Sequence, residues 1–441
     1  METLGCKVNQ YESDGIASCL EKKGWIQKKR GQGADLCIIN TCAVTSRAGM
    51  QSRQAIRRII RENPLARILV TGCHVQTDPD QVDTIEGIDL LVGHRDKTLI
   101  PEFGRDLVRG PKEISSVFRI RPVDHTPSNR FLGFPHAIQG TMTRPYLKIQ
   151  DGCNAFCSYC IVPHARGASV SMHENQVLDH LRQLAGAGFK EVILTGIHTG
   201  MYGRDLEPRS SLADLVEKIE RSGIIHRIRL SSIEPKEIDT RLLDLAASGK
   251  VVCDHFHIPL QSGDDNILKK MKRPYTGDYF KNIIHKIHSR LPHAGIGVDT
   301  LIGFPSETQD QFLNTYDLIK KLPVSYLHVF PFSPRKGTPA YDLEPKVDHD
   351  TIKNRCRVMR ELGIKKKKAF IESNMGRPLK GLVQHREANG SGRLKAVTSN
   401  YLTIEFEPGN KPGLKGEIVD IVIEKWDKDL NLFGRLVNHC S

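Results

Sequence analysis

Residues 151–160, Asp-Gly-Cys-Asn-Ala-Phe-Cys-Ser-Tyr-Cys, place three thiols in the spacing C-x3-C-x2-C directly after a strand-like run at 146–150. Iron–sulfur clusters are held by cysteine thiolates, ordinarily four of them. Three on one short loop can hold three irons of a four-iron cluster and leave the fourth open to a small molecule. A single zinc ion is the competing occupant. His164 follows Cys160 by four positions, so Cys153, Cys157, Cys160 and His164 would make a tetrahedral Cys3His set.

The sequence beyond the loop favours an enzyme scaffold over a small zinc module. Strand patterns at 146–150, 191–195, 227–231, 255–259, 295–300 and 326–330 alternate with helical patterns at 174–187, 212–221, 279–290 and 307–322. Six βα units predict a partial barrel, with its site at the carboxyl ends of the strands; a complete eight-unit barrel takes about 250 residues. This domain is expected over 143–372.

Ahead of it, residues 1–100 also alternate strands (1–4, 36–40, 67–71, 88–92) with helices (9–23, 46–61), which predicts a parallel α/β sheet. Cys6, Cys42 and Cys73 each fall just past one of these strands, separated by 35 and 30 residues, about one βα unit each. Open parallel sheets bind ligands outside the carboxyl ends of their strands. Three thiols delivered to one rim therefore read as a second cluster site, against the plainer reading of unrelated core cysteines. Cys19 and Cys37 lie inside a helix and a strand and read as core, as do Cys253 and Cys356.

Residues 101–142, rich in Pro and Gly, lose periodicity and read as a linker with one strand near 116–120. After a basic helical run at 350–373, which contains Lys365 to Lys368, five short strands follow at 379–383, 395–399, 401–406, 416–423 and 432–437. They predict a small OB-like β-barrel over 373–441. Tyr401 and Phe406 could stack on bases there, or fill the barrel's core.

Lys plus Arg outnumber Asp plus Glu by 64 to 51, a formal charge of +13, which suits a nucleic-acid partner. Eleven scattered cysteines argue against a disulfide framework. No apolar run reaches the ~18 residues of a membrane span, and the chain reaches its first motif by Cys6, with no signal peptide ahead of it. The expected compartment is a reducing cytoplasm, with no membrane partner.

The cysteine loop, with Tyr159 before its last thiol, resembles that of the radical S-adenosylmethionine (SAM) enzymes. Residues 3–11 (TLGCKVNQY), 40–45 (NTCAVT) and 71–73 (TGC), followed by that loop, resemble the methylthiotransferases. Over nearly the whole chain the pattern is similar to tRNA methylthiotransferases of the MtaB type. The resemblance implies two [4Fe–4S] clusters, one on Cys153, Cys157 and Cys160 and one on Cys6, Cys42 and Cys73. It implies SAM in two roles, as methyl donor and as source of a 5′-deoxyadenosyl radical. The substrate implied is N6-threonylcarbamoyladenosine beside the anticodon, methylthiolated at C2. Expected SAM contacts are Tyr159, Gly196, Arg229 and Gln261, and residues 301–307 resemble the family's adenine end. The last domain would be a TRAM domain that binds tRNA. An electron donor such as flavodoxin or ferredoxin and a sulfur source are implied partners. No acid–base residue is expected, because an aromatic C–H offers polar catalysis no handle and the cofactors carry the chemistry. Arg166, Lys148 and Arg335 are the candidates to pair with the substrate's carboxylate. Rival readings are a methylthiotransferase for N6-isopentenyladenosine or a ribosomal protein, and a non-catalytic zinc-bearing RNA-binding protein.

Overall fold

The computed structural model describes residues 1–441 except 30, 111–116, 122, 124, 126–130, 135–141, 386–391, 410–412 and 438–441. The N-terminal strands Glu2–Thr3, Leu36–Thr41, Arg67–Gly72 and Leu90–Val92 pair in parallel, side by side in chain order. Their residues are mostly buried, as befits a sheet covered on both faces. The helices Lys7–Lys22 and Ser46–Glu62 make the crossovers. Thr45 starts the second by accepting a hydrogen bond from the Ala48 amide at 3.0 Å.

The expected linker is partly built into this domain. The helix Ile100–Arg109 carries Pro101 in its first turn, where a missing N–H costs nothing, and the strand Val117–Arg119 pairs with Leu90–Val92 as the fifth of the sheet. The strand stands where one was expected, near 116–120, whereas the high Pro and Gly content disguised the helix.

All six barrel strands form: Tyr146–Lys148, Glu191–Thr195, Arg227–Leu230, His255–Gln261, Gly295–Ile302 and Tyr326–Pro331. They make two three-stranded parallel sheets. The sheets meet where the Ile228 amide donates to the Val251 carbonyl at 2.7 Å and the Cys253 amide to the Ile228 carbonyl at 2.9 Å. Ile258, Ile296 and Val298 alternate with His257, Gly297 and Asp299 along their strands and pack with the helices that cover the barrel.

The long helix His349–Asn374 leads to a closed five-stranded barrel in which Thr403–Phe406 runs parallel to Leu432–Leu436. Its core contains Phe406, only 1 % exposed, so that ring is not a platform for a base. Nor is this barrel a loose appendage. The Arg227 guanidinium donates to the Lys380 and Val397 carbonyls at 3.1 and 3.0 Å, and Asn400 donates to the His293 carbonyl at 3.1 Å. Among the described residues, no helix is long and apolar enough to cross a membrane.

Candidate active site

The strand ends of the first domain bring Cys6, Cys42 and Cys73 to one rim. Cys6 is the residue that opens the helix Lys7–Lys22, yet its side chain makes no capping bond. Cys42 follows its strand directly, and Cys73 opens a short helix. Gly5 and Gly72 adopt φ of +102° and +106°. A β-carbon on Gly5 would lie 2.9 Å from the Cys42 sulfur, and one on Gly72 would meet the Thr41 backbone at 2.3 Å. Glycine is what lets these turns close. Asn9 ties the rim together by donating to the Leu4 and Thr41 carbonyls at 2.8 and 3.0 Å.

The second trio sits at the mouth of the barrel. Gly152, at φ +67°, lies so close to the Ala168 carbonyl that a β-carbon would be 1.9 Å from its oxygen. The Gln150 amide group holds the loop through the Asp151 and Gly152 carbonyls, each at 2.8 Å. Two of the sulfurs have donors beside them. The Ala155 amide donates to Cys153 at 3.4 Å, and Arg273 donates to Cys157 at 3.3 Å. His198 stands 3.3 Å from Cys153 and is anchored on Glu237 at 2.9 Å. Burial would lower the imidazole's pKa, but Cys153 and Glu237 outweigh it and raise it to about 10. Burial also pushes the Cys160 thiol up to about 12 and Cys42 up to about 11. Metal binding at either trio would therefore release protons.

Thiolate sulfurs bound to one zinc ion at about 2.3 Å must crowd together. Among the described residues, the two groups whose ligand atoms all lie within 4.8 Å of one another are His257 with Asp299 and His328, and Glu12 with His94 and Asp151. Neither contains a cysteine. His164 is exposed and packs edge-on against Phe156 and His125. Among the described residues neither trio has all three sulfurs within 4.8 Å of one another, and the N–H donors at the second suit an anionic, sulfur-rich group.

Between the trios lies a buried charge network that the sequence did not reveal. Arg166 donates to Glu12 and Asp151 at 2.9 Å and to the Asn9 side chain at 2.6 Å. Lys148 reaches Asp151 at 2.7 Å and Glu12 at 3.2 Å, and Lys97 reaches Glu12 at 2.5 Å. Burial would raise the Glu12 and Asp151 carboxyls, yet the cations hold both well below the usual carboxylate range. Three cations against two carboxylates leave one positive charge in excess, and Arg166 lies within charge range of Cys6 and Cys73.

The expected SAM contacts divide. Tyr159 is half-buried against Met271, Leu301 and Phe304 beside the loop. Gly196 follows its strand, and a side chain there would collide with Gln150 at 2.8 Å. Gln261 ends its strand at φ +66°. Arg229 is a correction. Its guanidinium bonds Glu191 at 2.9 Å and the Ser399 and Thr398 carbonyls at 2.8 and 2.9 Å, so it is spent on docking the terminal barrel. The three candidates for the substrate's carboxylate are occupied as well: Lys148 and Arg166 as described, and Arg335 by Asp78 at 2.8 Å. Glu307, in the stretch expected near adenine, accepts from the Gly303 amide and from Arg355 at 2.9 and 3.0 Å. A cavity of about 740 Å3 lies around Trp25 and Leu36 at the opposite end of the first sheet and holds no member of either trio.

Comparison with known proteins agrees with this arrangement. Residues 147–319 match the Radical SAM superfamily, and residues 1–93 match a family described as uncharacterized protein family UPF0004. The chain is 35% identical over 429 residues to the threonylcarbamoyladenosine tRNA methylthiotransferase MtaB of Bacillus subtilis, covering 96% of this chain and 93% of the relative. It is 32% identical over 431 residues to the tRNA-2-methylthio-N(6)-dimethylallyladenosine synthase of Pelotomaculum thermopropionicum, covering 95% and 93%. Among solved structures, the radical SAM methyltransferase TsrM of Kitasatospora setae, with cobalamin and a [4Fe–4S] cluster bound, superposes with a TM-score of 0.57. It is 16% identical and covers 77% of this chain and 76% of that one, a likeness of fold. Radical SAM membership implies SAM and one [4Fe–4S] cluster. With cysteines delivered to two rims and full-length relatives of this similarity, the chain belongs to the radical SAM tRNA methylthiotransferases.

Proposed function

We propose that this protein methylthiolates C2 of N6-threonylcarbamoyladenosine in tRNA, with a second cluster held by Cys6, Cys42 and Cys73. The observation that carries the choice of substrate is the polarity of the barrel's inner wall. His257, Asp299 and His328 alternate with core residues and so point inward, with His257 2.7 Å and His328 3.2 Å from the Asp299 carboxylate. The Ser232 hydroxyl stands 2.6 Å from the other nitrogen of His257. The wall's groups already pair with one another, so among the described residues it offers no free cation, but a substituent bearing a hydroxyl and urea N–H groups can hydrogen-bond to it where a prenyl chain would only cover polar surface. The similarity to MtaB relatives supports the same reading.

When bound, SAM and the two clusters supply the radical that removes the C2 hydrogen and the sulfur that replaces it. The chain's own residues place these partners. Gln150 and Gly152 shape the loop, Arg273 and His198 meet its sulfurs, and Asn9 fixes the facing rim. Asn154, Ala155 and Phe156 are exposed at the tip of the loop, a short approach for an electron donor of the flavodoxin or ferredoxin kind. A separate sulfur source restores what each turnover consumes.

Two measurements test this reading. Anaerobically reconstituted protein should hold about eight irons per chain, two four-iron clusters; about four irons, or stoichiometric zinc, would contradict the second cluster. Mass analysis of tRNA nucleosides should show that deleting the gene removes 2-methylthio-N6-threonylcarbamoyladenosine and spares the prenylated methylthio nucleoside. Loss of the prenylated nucleoside alone would assign the other substrate.

A further inference from the structure

We propose that Lys7 and Arg144 form the seat for the carboxylate on the substrate's N6 arm, beneath Tyr401 at the seam of the three domains. This rests on the threonylcarbamoyladenosine reading above.

Lys7 immediately follows Cys6, at the start of the first helix. Arg144 lies just ahead of the first barrel strand. The Lys7 ammonium is within charge range of the Arg144 and Arg229 guanidinium groups, and both of these lie over the Tyr401 ring, at 5.9 and 5.0 Å. Cations converge here without matching anions. Glu191 is the carboxylate they share, and its two oxygens are taken by Arg227 at 2.6 Å and Arg229 at 2.9 Å. Arg144 stands 3.7 Å from Glu191, and its Nη1 is buried without a hydrogen-bond partner. Lys7 is half-buried and has no hydrogen-bond or salt-bridge partner among the described residues. His255, 4 % exposed, adds a second orphaned atom, its Nδ1, while its Nε2 is 2.8 Å from the Tyr326 hydroxyl.

Half-buried cations short of hydrogen-bonding partners are poorly solvated, and an incoming anion relieves that cost. Two unsatisfied donor groups, one of them adjacent in sequence to Cys6, therefore describe an anion seat beside the rim where C2 must be presented. C2 and the carbon bearing the N6 arm belong to the same six-membered ring, so an arm anchored beside Cys6 keeps that ring close to the first rim. The seat would also discriminate. A prenyl arm would leave Lys7 without a partner and Arg144 Nη1 without a hydrogen bond, and a site built for a polar group rejects the analogue that lacks it more strongly than an apolar pocket can. A carboxylate and a backbone phosphate share the chemistry required, so the test separates them.

Holoprotein with both clusters loaded is titrated with anticodon stem-loops bearing threonylcarbamoyladenosine, its neutral carboxamide, unmodified adenosine or isopentenyladenosine. Wild type should prefer the carboxylate to the carboxamide by at least about tenfold, as expected for a charge-assisted pair. Lys7→Gln and Arg144→Gln should each bring that ratio close to one, and Lys7→Arg should restore most of it. Iron content of each variant shows whether the neighbouring Cys6 site is intact. A ratio retained in both glutamine variants, with wild type still preferring threonylcarbamoyladenosine, overturns the seat and leaves the substrate reading standing. Equal weakening toward all four RNAs identifies a phosphate contact and also overturns it. A wild type that prefers isopentenyladenosine overturns the substrate reading itself, and the seat with it.

Discussion

Cys157→Ala should abolish reductive cleavage of SAM, whereas Cys42→Ala should retain it and lose methylthio transfer. Cys157 is buried, 8 % exposed, and its sulfur accepts from Arg273, whose other end is tied to Glu234 and to the Pro259 carbonyl at 3.4 Å. Alanine would remove one of three ligands from the loop that must leave a single iron open. The neighbouring Ser158 hydroxyl cannot replace it, since it is engaged with the Lys270 carbonyl at 2.8 Å. The expected loss is complete within assay limits, and 5′-deoxyadenosine release measures it. Cys42 lies across the Arg166 network, in the other domain, and its amide and carbonyl are both held by the Ser52 hydroxyl, at 3.1 and 3.0 Å. Its backbone should stay in place when the thiol goes, so the barrel's loop is undisturbed. SAM cleavage that survives in Cys157→Ala and vanishes in Cys42→Ala would reverse the assignment of the two rims.

What the sequence made legible follows from which interactions are local. The six barrel strands and the first four strands of the N-terminal sheet are apolar runs between helical patterns, and they stand within a few residues of where periodicity puts them. Because each thiol of the first trio directly follows such a strand, periodicity alone was enough to place Cys6, Cys42 and Cys73 on one rim. Direction and partner were not legible. Arg229 and Arg227 alternate with Ile228, so an inward orientation could be read, but not that the terminal barrel plugs that end of the wall. Lys148 and Arg166 read as free cations because their partner Glu12 lies 136 and 154 residues away. Tyr401 has an aromatic's usual two readings; it packs 4.3 Å from the His255 ring and under two guanidinium groups, at the seam between domains. Arg273 carried no signal at all. It lies on no motif and reaches Cys157 across 116 residues.

Glu12→Gln should be strongly destabilising. Glu12 is 1 % exposed and accepts from Lys97, Lys148 and Arg166 together. Glutamine keeps the volume and one acceptor oxygen, but it turns an NH2 group toward three cationic donors and removes the charge that balances them. Asp151 alone would then face three buried cations. Breaking such a network by removing one partner typically costs about 3–5 kcal/mol, because the remaining charges stay buried. The loss should not be uniform. Lys97 and Glu12 belong to the N-terminal domain, Lys148, Asp151 and Arg166 to the barrel, so the pairs through Glu12 join the two bodies that carry the cysteines. The thermal unfolding midpoint of the loaded protein should fall by several degrees. Methylthio transfer should fall further than SAM cleavage, since the barrel keeps its own loop while the facing rim loses its register. Glu102→Gln is the matched control, because Glu102 pairs with Lys23 at the surface, where ion pairs contribute about 0–1 kcal/mol. Equal midpoints and equal ratios of transfer to cleavage in the two variants would show that the buried charges do not hold the rims together.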